Sequence, residues 1–352
     1  MKKGVFLLAM LFLLCGTARA SVPEAWRGSI PSEAAALSEK DGSLLENGMA
    51  GLAERIGDAA KDAVRKTARS CVSLLLAVLL CGVLESAGKG AGKLLAPYVP
   101  LAGVACILTL SLGDLRALIG LGTETMEELH ALGKLLLPTV AASIAAGGFA
   151  GTASAWQVST LFATEKLTAL ITGILLPMTY SYIGLSAAGT ILPESRLHVL
   201  AGTLKKLIGA ALKGILILFT AFLSVSNVLT GAADQTAVKA AKAVSGVVPV
   251  VGSLLSDTAE AILSGASALR GTIGLLGIFS VLFLALAPLV RLGVQYVLYQ
   301  AAAALSGLSG SETLGKFLED LGGAFGLIFA MTASCALLLL AALIVAVTMV
   351  SG

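Results

Sequence analysis

The chain has 352 residues, of which 57% are hydrophobic and 13% charged, and its formal net charge is +3. A soluble globular domain carries about 25% charged residues, so the composition excludes an ordinary soluble fold and points to a polytopic membrane protein. The small net charge and the lack of a long basic run exclude nucleic acid as a partner, while 40 glycines suit helices packed closely in lipid.

The chain opens with MKKGVFLLAMLFLLCGTARA, in which Lys2 and Lys3 precede an apolar core at 5–14 and an Ala18-Arg19-Ala20 pattern. That core is too short to span a bilayer. The pattern predicts a cleaved signal peptide over residues 1–20, leaving the mature N-terminus outside the cytoplasm. Cys15 invites a lipoprotein reading, but Leu14 stands where such a site needs a small residue.

Residues 21–67 form an extracytoplasmic lead-in. Its first part, with Pro23, Gly28 and Pro31, reads as irregular. From 44 to 68, Leu52, Ile56, Ala59, Ala60 and Ala63 line one side, and Glu54, Arg55, Asp58, Lys61, Asp62, Arg65 and Lys66 the other. This predicts an amphipathic helix, lying on the membrane, packing on a partner, or solvated along one side.

Residues 68–352 are predicted to be an all-α transmembrane domain with about seven spans, at 68–84, 94–113, 135–155, 167–192, 207–229, 272–298 and 324–350. The third carries AASIAAGGFAGTASA, whose small residues allow close approach or a broken helix. An outside N-terminus and seven spans put Lys89 and Lys93 inside, and Asp114, Glu124, Glu127 and Glu128 outside. The link with Arg196, Lys205 and Lys206 runs against that bias. Glu165 and Lys166 read as a solvated turn.

Cys71, Cys81, Cys106 and Cys335 each fall in an apolar run, no C-x-x-C occurs, and His130 and His198 are far apart. Neither redox exchange nor a zinc site is indicated. No Ser-His-Asp set, H-E-x-x-H or phosphate loop is present. The expectation is therefore a chain without catalytic residues, metal or cofactor. Arg291 falls inside the sixth span, where it is expected to pair within the membrane, snorkel to the headgroups or line a conduit.

The stretch 233–270 is too polar for a lipid-exposed span. Gln235, Lys239, Lys242 and Gly246 follow helical spacing, with Ala237, Ala241, Val244 and Val248 opposite. Asp257, Glu260, Ser264 and Ser267 form a second polar stripe, with Ala259, Ile262, Leu263 and Ala266 turned away. Gly246, Pro249 and Gly252 favour a break between them. The result is a helix–PVVG–helix element, either an interfacial pair covering the bundle or a re-entrant hairpin lining a polar path.

The run ADQTAVKAAKAVSGVVPVVGSLLSDTAEAILSGASALRGTIGLLG, residues 233–277, resembles the stage III sporulation protein AE family of endospore-forming bacteria, as do LAPLVRLGVQYVLYQAAAALSGLSG and LGKFLEDLGGAFGLIFAM. The resemblance highlights Asp234, Lys239, Lys242, Pro249, Gly252, Asp257 and Glu260, and carries over no catalytic residue. It implies a multi-pass protein of the mother-cell membrane around the forespore. It also implies a place in a channel or specialised export complex with other stage III A proteins, including ring-forming components, and a forespore-membrane partner. An independent transporter of ions or small solutes and a structural anchor are the alternatives. Self-association of the chain stays open.

Overall fold

A computed structural model describes the backbone of residues 31–36, 44–91, 98–146, 150–191, 195–245, 252–308 and 312–348. Every element in it is helical. In chain order these are α1 (Ser32–Ala36), α2 (Leu44–Ala91), α3 (Tyr98–Ala146), α4 (Ala150–Leu170), α5 (Leu176–Ile191), α6 (Ser195–Ser245), α7 (Gly252–Leu308) and α8 (Glu312–Thr348), with a π turn at Ile171–Leu175 joining α4 to α5. The expected signal peptide lies outside the described residues.

The helices run longer than the hydropathy blocks. At 1.5 Å per residue α3 is about 74 Å long, against a hydrocarbon core of about 30 Å. Five segments are long and apolar enough to cross a membrane: Ala102–Ala146, Ala153–Thr190, Arg196–Ser224, Ile273–Gly307 and Thr313–Val347. A sixth comes from α2 if Asn47–Thr67 and Val72–Val83, which meet at 43°, count as one span.

This differs from about seven spans because two expected links are helical. Residues 114–134 continue α3, and Glu165 and Lys166 sit within α4. Both stretches are rich in helix formers, and their charges mark a face rather than a loop. On α3, Leu115, Leu118, Ile119, Met126, Leu129 and Leu132 are buried, whereas Arg116, Glu124, Glu127, Glu128 and Lys134 are exposed. The helical run is interrupted instead after Ala146, where α3 ends, and α4 starts at Ala150, with Gly147 and Gly148 in the intervening sequence. Glycine costs a helix interior about 1 kcal/mol relative to alanine.

The π turn has a local cause. Pro177 has no N–H to give Gly173 and its ring would clash with that carbonyl. Widening the preceding turn, so that the Leu176 N–H donates to the Ile171 carbonyl, accommodates the ring without breaking the span.

The bundle is organised around α8. It packs most extensively on α7, then on α3, α5 and α6, while α2 lies along α7 and α3. Glycines set the closest approaches. A Cβ at Gly122 on α3 would come within 2.6 Å of Ile328 Cγ2 on α8, and one at Gly326 on α8 within 3.1 Å of the Tyr296 ring on α7. Gly48 and Gly51 of α2 seat the rings of Phe279 and Phe283, and the Arg55 guanidinium lies 5.8 Å from the centre of the Phe283 ring. Tyr299 and Phe325 pack at 4.9 Å between centroids across α7 and α8.

Several buried hydroxyls are satisfied within their own helices, whereas those of Ser111, Thr160, Ser186 and Tyr299 have no hydrogen-bond partner among the described residues. Thr332 donates to the Ile328 carbonyl at 3.0 Å, Ser280 to Leu276 at 2.7 Å and Thr164 to Thr160 at 2.7 Å. Each such bond keeps a polar group in the apolar bundle without an orphaned donor.

Candidate intramembrane polar site

Where α5, α6 and α8 meet, polar side chains gather at one end of the bundle. Tyr182, fully buried on α5, donates its hydroxyl to the Asp320 backbone carbonyl at 3.0 Å and to Asp320 Oδ1 at 3.1 Å. The other carboxylate oxygen, Oδ2, is buried without a hydrogen-bond donor among the described residues, and His198 Nδ1 on α6 stands 3.8 Å from it. Two turns further along α6, the Lys205 ammonium lies 6.0 Å from the centre of the Tyr182 ring.

Gly323 makes the approach possible. A Cβ there would lie 2.6 Å from Lys205 Nζ and 2.9 Å from the Tyr182 hydroxyl. An acid, an imidazole, a phenol and an ammonium thus share one small volume contributed by three helices. Ionisable groups within apolar spans are costly, and they persist where they pair or face water. The cluster ties α5 and α6 to the central helix.

A second polar contact lies between α3 and α7, where Gln295 Nε2 donates to Asp114 Oδ2 at 3.3 Å. A third group lines a cleft between α3, α4 and α8, with His130, Lys134, Thr164, Thr168 and Cys335 on its walls. Among the described residues, no three His, Cys, Asp or Glu side chains are placed to hold a metal ion.

The residues singled out from sequence sit elsewhere. Asp234, Lys239 and Lys242 fall on the distal part of α6, and Gly252, Asp257 and Glu260 on the first turns of α7. Their backbone is helical, but their side chains lie outside the described residues, as does Pro249 altogether. Helix ends at Ser245 and resumes at Gly252, so each limb of the element is the same unbroken helix as a neighbouring span. Arg291 is half-buried on α7, with no ion pair to a described residue.

The Tyr182–Asp320 contact joins residues 138 apart in sequence, and no local period announces it. The available signal was an aspartate at the head of an apolar segment, together with a lysine pair at 205–206 that broke the charge bias.

Fold and site define a multi-pass helical membrane protein with a polar cluster inside its bundle. The family model for stage III sporulation protein AE matches residues 40–351. The chain belongs to that family, and it is a sporulation-related membrane protein. It is also 25% identical over 244 residues to the stage III sporulation protein AE of Bacillus subtilis (strain 168), a match covering 69% of this chain and 61% of that protein. No solved structure matches the chain.

Proposed function

We propose that this chain is a membrane component of the channel or specialised export complex between mother cell and forespore, needed for endospore formation. The observation that carries the reading is family membership over residues 40–351. In this reading the protein resides in the mother-cell membrane around the forespore, with its N-terminal segment outside the cytoplasm. Its partners are other stage III A proteins, ring-forming components among them, and a forespore-membrane protein. The helix–PVVG–helix element, through Asp234, Lys239, Lys242, Pro249, Gly252, Asp257 and Glu260, is a conduit lining or a structural hairpin of that assembly.

The unbroken passage of α6 and α7 into the limbs supports the mechanical half of this reading, because a continuous helix moves with the span it belongs to. Three outcomes separate a conduit, an anchor and a lone transporter. Charge reversal at Lys242 or Asp257 that blocks passage while the complex still co-purifies with its stage III A partners supports a conduit. Loss of co-purification alone supports an anchor. Flux through liposomes holding only this chain supports an independent transporter and overturns the proposal.

A further inference from the structure

Two charged faces in the spans have no partner within the chain among the described residues. On α3, Glu124, Glu127 and Glu128 are exposed, and on α6, Lys206 and Lys213 are exposed one heptad apart. Lys206 and Lys213 lie in the middle of Arg196–Ser224, a segment of 29 residues. A 30 Å crossing uses about 20 residues. Placed anywhere within that segment, a crossing of this length includes both lysines. An ammonium turned toward lipid there is expensive, so the face requires a protein partner or water.

The acidic face lies at matching depth. His198 stands beside Asp320, and Lys205 beside Gly323, so α6 and α8 run in the same direction. Gly103, Gly122 and Gly133 of α3 pack on Leu314, Ile328 and Leu339 of α8, so α3 also runs with α8. At 1.5 Å per residue, Lys213 lies about 12 Å beyond the level of Gly323 counted from Lys205 and about 18 Å counted from His198, and Glu124 lies about 10–18 Å beyond it. Lys213 and Glu124 are therefore level within about one and a half helical turns, and Lys206 lies two turns nearer Gly323. They cannot meet in one molecule, because α4 and α5 pack between α3 and α6.

We propose that copies of this chain associate head to tail in the membrane, the acidic face of α3 in one copy docking on the basic face of α6 in the next. The occupant of each face is a second copy because the complementary charge is at the same depth on the same chain. Rotation about an axis along the bundle brings them together without a change of level. Such heterologous contacts close into rings when the rotation closes. The interface does not depend on the channel reading, and would serve an anchor equally well.

The test uses the full chain purified in detergent and in liposomes, with the native cysteines replaced. Paired substitutions Glu124→Cys and Lys213→Cys should form an intermolecular disulfide on mild oxidation, and neither alone should give that product. Reversing the acidic face (Glu124→Lys, Glu127→Lys, Glu128→Lys) or the basic face (Lys206→Glu, Lys213→Glu) should lower oligomer yield about tenfold or more, since like charges facing each other cost several kcal/mol. Combining both reversals should restore it. A monomeric wild type, oligomers indifferent to either reversal, or no disulfide from the pair would overturn the interface. So would rapid labelling of the Glu124→Cys variant by a water-soluble maleimide in the assembled protein, which would put that face in water. If a reversed variant misfolds, the disulfide pair still decides.

Discussion

The Tyr182–Asp320 contact can be weighed by a double-mutant cycle. Tyr182→Phe removes a hydroxyl that donates to both the backbone carbonyl and Oδ1 of Asp320, at 3.0 Å and 3.1 Å, and leaves the buried ring in place. Side-chain hydrogen bonds between membrane helices are worth about 0.6 kcal/mol on average and about 1.7 at most. The one hydroxyl proton is shared between the two acceptors, so this substitution costs about 0.6–1.7 kcal/mol. Asp320→Ala removes Oδ1 but keeps the backbone acceptor, so the coupling between the two substitutions isolates the side-chain share of that bond, at most about 1.7 kcal/mol.

The assay is reversible unfolding of the full chain in mixed micelles as the denaturing detergent fraction rises, followed by far-UV circular dichroism and by fluorescence of the buried Trp156. Unaltered stability in Tyr182→Phe, or a coupling of zero, would refute the view that this bond ties α5 to the central helix. A coupling of opposite sign would show that Asp320 strains the site instead.

Three further outcomes follow from packing and burial. Gly120→Ala meets nothing within 4 Å whereas Gly122→Ala drives a methyl toward Ile328 Cγ2. With equal gains in helix propensity, Gly122→Ala should be less stable than Gly120→Ala by about 1–3 kcal/mol in the same unfolding assay. Arg291→Leu should leave stability unchanged or raise it, because arginine costs about 2.5–3.5 kcal/mol at a span centre and leucine is favourable; a loss of more than about 1 kcal/mol would reveal an ion pair. Among the described thiols, exposed Cys106 should react with a membrane-permeant maleimide well before buried Cys335, as mass spectrometry of the labelled chain would report.

Much of the fold was legible because hydropathy sums along the chain. The apolar segments now found in α6, α7 and α8 announced themselves. The faces of α2 were legible only in part: Leu52 and Ala63 are buried and Asp58 and Lys61 pair in the open, but Ile56 is exposed and the Arg55 guanidinium packs over the Phe283 ring. Hydropathy misjudged the middle of α3 because it averages over faces. Glu124, Glu127 and Glu128 lowered the local value, although Met126 and Leu129 between and beside them are buried. The helical periodicity runs through these charges, which hydropathy alone reads as a link.

The polar site was not legible for a different reason. Tyr182, His198 and Asp320 come from three helices, and their meeting depends on Gly323 letting Lys205 and Tyr182 close on α8. Sequence gives each residue an apolar neighbourhood along its own helix; it does not give the rotation of one helix against another. Arg291 shows the converse case. Its place inside an apolar span is legible along the chain, whereas pairing, snorkelling and conduit lining, the alternatives for it, differ only in neighbours that a single sequence does not give.

The central place of α8 has a consequence for biogenesis. Of the helices described, α8 leaves the ribosome last, yet α3, α5, α6 and α7 all close on it. Until it inserts, Phe279 and Phe283 can seat against α2, but the Asp320 contact of Tyr182 is unmade. The keystone arrives after the helices that it holds. A ribosome stalled near residue 310 should therefore leave a half-built bundle exposed to membrane quality-control proteases.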